Sequence, residues 1–129
     1  MKNRKLATTL CIIHQHPRIL LGMKKRGFGV GSWNGFGGKV SIGETIENAA
    51  KRELREESGV EIENLNKIGV LEFEFKNNPE IIEVHIFKSE NFTGGLSLMG
   101  STGISISFAR ITSPHFLQYH TGNGMPKYL

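Results

Sequence analysis

The sequence predicts one mixed α and β domain, with a largely mixed or antiparallel sheet rather than a series of βαβ units. Three observations carry that reading. Strand-like segments recur on both sides of a single amphipathic helical segment, in the order strand, strand, loop, helix, strand, strand. The chain has 129 residues, enough for one domain with a modest core. Hydrophobic residues make up 38% and charged residues 22%, a globular composition on the polar side, and no internal repeat is present.

Each element has its own local signal. Residues 6–13 (LATTLCII) and 19–23 (ILLGM) read as two strands joined by a turn at Pro17. Residues 27–38 (GFGVGSWNGFGG) hold six glycines in twelve positions, so this loop must bend sharply or let something approach its backbone. A helix follows, with Thr45 as N-cap, Glu47 in its first turn and Gly59 just past its end. Residues 70–75 (VLEFEF) alternate, with Leu71, Phe73 and Phe75 on one face and Glu72 and Glu74 on the other. After the KNNPE turn, residues 81–87 (IIEVHIF) supply the partner strand of a hairpin. ISISFAR, residues 104–110, alternates well enough for one more strand.

Charge and cysteine content narrow the partners. The net charge of +4 favours anionic small molecules such as phosphates, and it is too diffuse to argue for a nucleic-acid face. No run approaches the roughly 18–20 apolar residues of a membrane helix. The opening MKNRKLATTLCIIHQHPR is basic and then apolar, but Thr8 and Thr9 interrupt it, His14 and His16 end it, and no small-residue cleavage site follows. It reads as a first strand, not a secretory signal. The single cysteine, Cys11, rules out an internal disulfide framework and fits a reducing compartment. All twelve acidic residues are glutamates, and none lies beyond Glu90. The last 39 residues carry only Arg110 and Lys127 as full charges, which is a composition break.

The helical wheel of residues 46–58 holds the main chemical clue. At about 100° per residue, Ile46, Ala49, Ala50 and Leu54 form an apolar stripe, with Asn48, Lys51, Arg55 and Ser58 opposite it. Glu53 and Glu57 fall within the stripe and Glu56 at its edge. A bare inward carboxylate costs several kcal/mol unless it is paired or bound to a cation. One reading is that the helix frays, or that the glutamates pair with Arg52 and other basic groups. The other is that three carboxylates at i, i+3 and i+4 converge on one hard cation. Oxygen-only ligands suit Mg²⁺ or Mn²⁺, and no Cys–His cluster argues for zinc. The glycine-rich loop upstream, with Lys39 beside it and Lys24, Lys25 and Arg26 before it, suits a phosphorylated ligand, although a flexible surface loop would look similar. It is neither a Walker A loop nor a GxGxxG fingerprint.

From Gly38 the chain reads GKVSIGETIENAAKRELREESGV, and this segment resembles the Nudix box. Gly38, Glu44, Arg52, Glu53, Leu54, Glu56, Glu57, Gly59 and Val60 all fall at that motif's spacing. Around it, GMKKRGFGVGSWNGFGGKV, VLEFEF and EVHIF are similar to the oxidised purine nucleoside triphosphate hydrolase (8-oxo-dGTP diphosphatase) branch, from about Leu6 to Gly94. The resemblance implies an α+β Nudix fold, an α/β/α sandwich with a mixed sheet. It divides the chain into a core at 1–94 and a divergent tail at 95–129. It implies that Glu53, Glu56, Glu57 and the Gly37 carbonyl bind Mg²⁺, or Mn²⁺, that Arg52 orients the glutamates and that Glu44 fixes the loop. Thr9, Lys24, Phe28, Asn34, Phe36, Gly37, Gly38 and Lys39 would line the substrate site, with Phe28 stacking on the base and Asn34 bonding to it. Trp33 reads as packing and His85 as structural.

The implied reaction is hydrolysis of nucleotides of the 8-oxo-dGTP and 2-hydroxy-dATP type. Water activated at the metal attacks phosphorus and releases a nucleoside monophosphate and pyrophosphate, which sanitises the nucleotide pool. A monomer in the cytosol is implied, with mitochondrial and nuclear pools also open. The tail departs from this pattern. The family continues with a Trp-Pro-Asp-Asp segment, further strands and a C-terminal helix, whereas this chain has no aspartate, and a glutamate expected near position 101 is absent. The tail reads as an alternative exon or a shifted frame, which leaves the fold incomplete at the C-terminus. That keeps two other expectations alive: a diphosphatase for another nucleoside diphosphate derivative, and a catalytically impaired chain that only binds.

Overall fold

A computed structural model describes residues 4–24, 31–92 and 104–111. Its elements run β1 (Arg4–Gln15), β2 (Arg18–Lys24), β3 (Trp33–Asn34), α1 (Ile46–Ser58), β4 (Asn66–Glu74), β5 (Glu80–Ser89) and β6 (Ile104–Arg110). Every expected element is present, and the first two strands run longer than their apolar centres.

The sheet is mixed, as the element order predicts. β1 pairs in parallel with β5 over ten residues, from Arg4 opposite Glu80 to Ile13 opposite Ser89. The other pairings are antiparallel: β4 with β5, β1 with β2, and β2 with both β3 and β6. Gly22 faces Asn34 on one edge of β2 and Ile106 on the other, so β6 extends the sheet beyond β2. A strand from beyond position 94 therefore joins the same sheet as β1 and β5.

β1 and β2 pair only near their shared turn, from Ile13–Leu20 to Gln15–Arg18. Where they part, the glycine-rich loop takes over as the neighbour of β1. Bridges join Cys11 to Phe36 and Thr8 to Lys39. Between them the Thr9 amide donates to the Gly38 carbonyl at 2.9 Å, and the Val40 amide to the Ala7 carbonyl at 3.1 Å. The loop thus takes the place of a strand beside β1, held there by backbone bonds.

α1 packs on one face of this sheet. Cys11, Ile13, Leu20, Phe36, Phe87 and Ile104 meet Ala50 and Leu54 of the helix, and Val60, Ile62 and Leu65 close the lower end. Fully burying an aliphatic or aromatic side chain contributes about 1.5–3 kcal/mol, so this cluster anchors the helix against the strands. The caps fix where α1 starts and stops. Thr45 Oγ1 accepts the Asn48 amide at 3.1 Å, and Gly59 takes the left-handed conformation (φ 77°) while its amide reaches the Arg55 carbonyl. Among the described residues α1 is the only helix, so they supply one of the two helical layers of the expected sandwich.

The opposite face of the sheet carries Leu71 and Phe73 beside Val84 and Ile82. Leu71 and Phe73 are half-exposed there, as the alternation of VLEFEF predicts, and Phe75, just past the end of β4, is half-exposed as well.

One assignment on the wheel is corrected. Ser58, expected toward solvent, is fully buried. Its hydroxyl donates to the Leu54 carbonyl at 2.6 Å and accepts the Val60 amide at 3.1 Å, satisfying the frayed end of the helix from within.

Candidate active site

The site forms where the loop paired with β1 lies against the second half of α1. Gly37 and Gly38 are the closest approach. A Cβ on Gly37 would strike the Thr9 carbonyl and lie 3.0 Å from the Leu10 Cα, while one on Gly38 would run into the Glu53 carboxylate. Only a residue without a side chain lets the loop sit so near both strand and carboxylate. The Gly37 amide donates to Glu57 Oε1 at 2.9 Å, and Thr9 Oγ1 lies 3.4 Å from both the amide and carbonyl of Gly38.

Arg52 ties the acidic residues together. Its Nε and Nη2 engage both oxygens of Glu44, at 2.7 and 3.0 Å, in the two-pronged geometry that makes guanidinium–carboxylate pairs strong. Nη1 donates to Glu53 Oε1 at 2.6 Å and to Glu56 Oε1 at 3.2 Å, and Nη2 also reaches the Lys39 carbonyl at 3.1 Å. Glu44 in turn accepts the Ser41 amide at 3.0 Å, closing the turn that leads into the helix. Hydrogen bonds from Arg52, and then from the Ser41 amide, pull the Glu44 carboxyl down to about 2. The same bonds, Glu44 first and Glu53 second, push the Arg52 guanidinium above its ordinary value. Cys11 lies beneath, its thiol pushed up to about 12 by burial and then by the negative charge of Glu57.

These residues fit a hard divalent cation. Glu44, Glu53 and Glu56 share a single guanidinium, so the cluster carries more carboxylate charge than that arginine offsets. Glu53 is largely buried against Gly38 and Glu57 is only 8% exposed, so both sit where a carboxylate calls for positive charge. The donors are all oxygen, as Mg²⁺ prefers. Among the described residues no three such side chains already converge as a cage, because Glu53 and Glu56 lean toward Arg52.

The expected site residues fall into three groups. The structure brings together Thr9, Gly37, Gly38, the Lys39 backbone, Glu44, Arg52, Glu53, Glu56 and Glu57. Asn34 lies apart on β3, exposed, its Oδ1 accepting the Gly35 amide at 2.9 Å. Lys24 ends β2, and Phe28 lies outside the described residues. Phe36 is corrected: its ring is 1% exposed and packs in the core under Gly22, so its side chain cannot meet a ligand. What it gives the site is backbone, through its two hydrogen bonds with Cys11. His85 is buried, with Nε2 2.7 Å from Glu83 Oε1, in keeping with a structural residue. Trp33 remains a third exposed. Sequence reasoning missed Ser41. Its signal was Ser41-Ile42-Gly43-Glu44, a turn with Gly43 at φ 82°, which a capping-style search would have found.

A loop, a helix and a carboxylate–arginine cluster in this arrangement define a Nudix domain, and the chain belongs to that family: the NUDIX domain profile matches residues 3–105. It is 59% identical over 86 residues to the oxidized purine nucleoside triphosphate hydrolase of Danio rerio and 58% identical over 86 residues to that of Mus musculus. Each alignment covers 67% of this chain and 55% of the relative, so the chain spans about half the length of these curated relatives. Among solved structures, a MutT NUDIX hydrolase from Burkholderia pseudomallei superposes with a TM-score of 0.72 at 25% identity, covering 81% of this chain and 82% of that one. A MutT protein from Methanosarcina mazei shares the fold, with a TM-score of 0.70 at 18% identity over 94% of this chain and 86% of its own.

Proposed function

We propose that this chain is a Mg²⁺-dependent diphosphatase that converts oxidised purine nucleoside triphosphates to the monophosphate and pyrophosphate. The observation that carries the reading is the Gly37–Gly38 loop laid against Glu53 and Glu57, with Arg52 bracing Glu53 and Glu56 beside it. The substrate class is drawn from the two vertebrate relatives, which are named oxidized purine nucleoside triphosphate hydrolases.

In this reading Glu53, Glu56, Glu57 and the Gly37 carbonyl hold the cation, with Mn²⁺ as the alternative ion. When bound, the ion neutralises phosphate charge and lowers the pKa of water at the site. The chain's own residues do the rest. Glu57 fixes the loop through the Gly37 amide, and Glu44 locks the Arg52 fork, which keeps Glu53 and Glu56 from splaying apart. Lys24 and Lys39 supply positive charge for the phosphates, and Thr9, Asn34 and Phe28 address the base. The attacking water forms a bond to phosphorus, the bridging P–O bond breaks, and pyrophosphate leaves. The enzyme acts on small nucleotides of the cytosolic pool as a monomer.

A second reading keeps the chemistry and changes the substrate to another nucleoside diphosphate derivative. Its support is the absence of any aspartate from the chain, which removes the acceptor pair implied for reading the oxidised base.

The experiment is pyrophosphate release from 8-oxo-dGTP and from dGTP, with and without Mg²⁺, for the native chain and Glu56→Gln. Mg²⁺-dependent release that favours 8-oxo-dGTP is expected, and Glu56→Gln should lose about a hundredfold or more in turnover while still folding. Mg²⁺-dependent release without preference between the two nucleotides would move the assignment to the second reading. No release from either would overturn the oxidised-purine reading.

A further inference from the structure

Arg52 has every donor committed. A guanidinium side chain carries five N–H groups, and five hydrogen bonds leave this one. Three of them run to the loop before α1: Nε and Nη2 hold the two oxygens of Glu44, and Nη2 also holds the Lys39 carbonyl. The other two run from Nη1 to carboxylates of α1 itself, Glu53 Oε1 at 2.6 Å and Glu56 Oε1 at 3.2 Å.

The two sets differ in how firmly they are fixed. Glu44 is gripped through both oxygens and also accepts the Ser41 amide, so the loop side of the arginine is locked. Glu53 and Glu56 meet Nη1 through one oxygen each, and Glu56 is half-exposed, so the α1 side is open to exchange. A hard divalent cation bonds carboxylate oxygen at about 2.0–2.1 Å if it is Mg²⁺. An ion on the oxygens that Nη1 holds would come within about 5 Å of the guanidinium, where two positive groups repel. Arginine and ion therefore oppose each other at these two carboxylates.

We propose that Arg52 competes with the divalent cation for Glu53 and Glu56: both carboxylates pass from Nη1 to the ion, while Nε and Nη2 stay on Glu44 and Lys39. The inference rests on the reading of Glu53 and Glu56 as cation ligands. It differs in sign from an arginine that only orients the glutamates. Arg52 weakens cation binding, and by reciprocity the cation weakens the hold of Arg52 by the same factor.

The test is a Mg²⁺ titration of the EDTA-treated full chain, labelled in its arginine and glutamate side chains and followed by NMR, beside the same titration of Arg52→Gln. The carboxyl carbons of Glu53 and Glu56 report binding. In the native chain the Nη1 hydrogens should lose protection from solvent exchange as Mg²⁺ saturates, while the Nε–H resonance stays in place. Arg52→Gln should bind Mg²⁺ about fivefold tighter or more. If that variant does not fold, the Nη1 readout of the native chain decides alone. Mg²⁺ binding that leaves the Nη1 hydrogens unchanged, or that is weaker in Arg52→Gln, would overturn the competition and leave the cation ligands standing. A titration that moves neither carboxyl in either chain would remove the cation ligands and the competition together.

Discussion

A series of glycine-to-alanine substitutions separates close approach from backbone strain. At Gly37 a methyl group would strike the Thr9 carbonyl and crowd the Thr9 C and Leu10 Cα at 2.6 and 3.0 Å, all of it backbone within a sheet. Nothing there can swing aside, so the loop itself must lift away from β1. Overpacking of this kind costs about 1–3 kcal/mol. Lifting the loop also breaks the bond from the Gly37 amide to the buried Glu57 carboxylate, worth about 1.5–3 kcal/mol. Together the loss is about 3–5 kcal/mol, a large share of the roughly 5–15 kcal/mol that holds a domain folded. Gly43 has open space around it but φ 82°, so alanine there costs only the left-handed backbone, about 1–2 kcal/mol. Gly69 has open space and no positive φ, so alanine there should be neutral, or stabilising by up to about 1 kcal/mol.

Thermal melts of the three variants read this directly, at roughly 3–5 °C per kcal/mol for a chain of this size. Gly37→Ala should melt roughly 10–20 °C below the native chain, Gly43→Ala about 4–8 °C below it, and Gly69→Ala within a few degrees of it. Gly37→Ala should also be inactive. If it melts no lower than Gly43→Ala, the close approach described for the loop is wrong, and with it the placement of Glu57.

Two other predictions follow from the titrating groups. Glu44 sits at about 2 against an ordinary carboxyl value of 4.5, so its pair with Arg52 stabilises the fold fully above pH 4.5 and progressively less as the pH falls toward 2. Melting curves of the native chain and Arg52→Gln should therefore differ most near neutrality and converge below pH 4.5; a gap that stays constant to pH 2.5 would show that Arg52 acts by packing. Cys11, buried with its thiol pushed up to about 12, should resist iodoacetamide at pH 8 in the folded chain and react once the chain is unfolded in urea, as followed by mass spectrometry.

What could be read from the sequence was whatever repeats at short range. Thr45 and Gly59 mark the ends of α1 by local chemistry, and the wheel places Glu53 and Glu57 inward because helical spacing is fixed. What could not be read depends on distant partners. Phe36, flanked by glycines, looks like a ligand-facing loop residue, and it becomes core only because Cys11, 25 positions earlier in the chain, pairs with it. The parallel pairing of β1 with β5 has no local signal at all, since alternation tells which face a residue takes but not which strand lies beside it. Ser58 failed for a third reason. Its hydroxyl binds the backbone of its own helix, which a wheel built on side-chain polarity does not see.

The three glutamates of α1 are graded by depth, and the grading assigns them different work. Glu57 is 8% exposed and accepts a backbone amide, so it is committed to holding the loop. Glu53 is 17% exposed, with its carboxylate filling the space where a Gly38 side chain would be and one oxygen on Arg52, so it couples loop to helix. Glu56 is 46% exposed and bound only through the longer of the two Arg52 Nη1 contacts, at 3.2 Å, so it is the one most able to turn toward an incoming ligand. A neutral amide at 57 should therefore cost stability as well as activity, because a buried acceptor is weakened. The same change at 56 should cost activity alone. That difference is set by burial before any ligand arrives, and it is why Glu56→Gln, rather than Glu57→Gln, separates chemistry from folding in this chain.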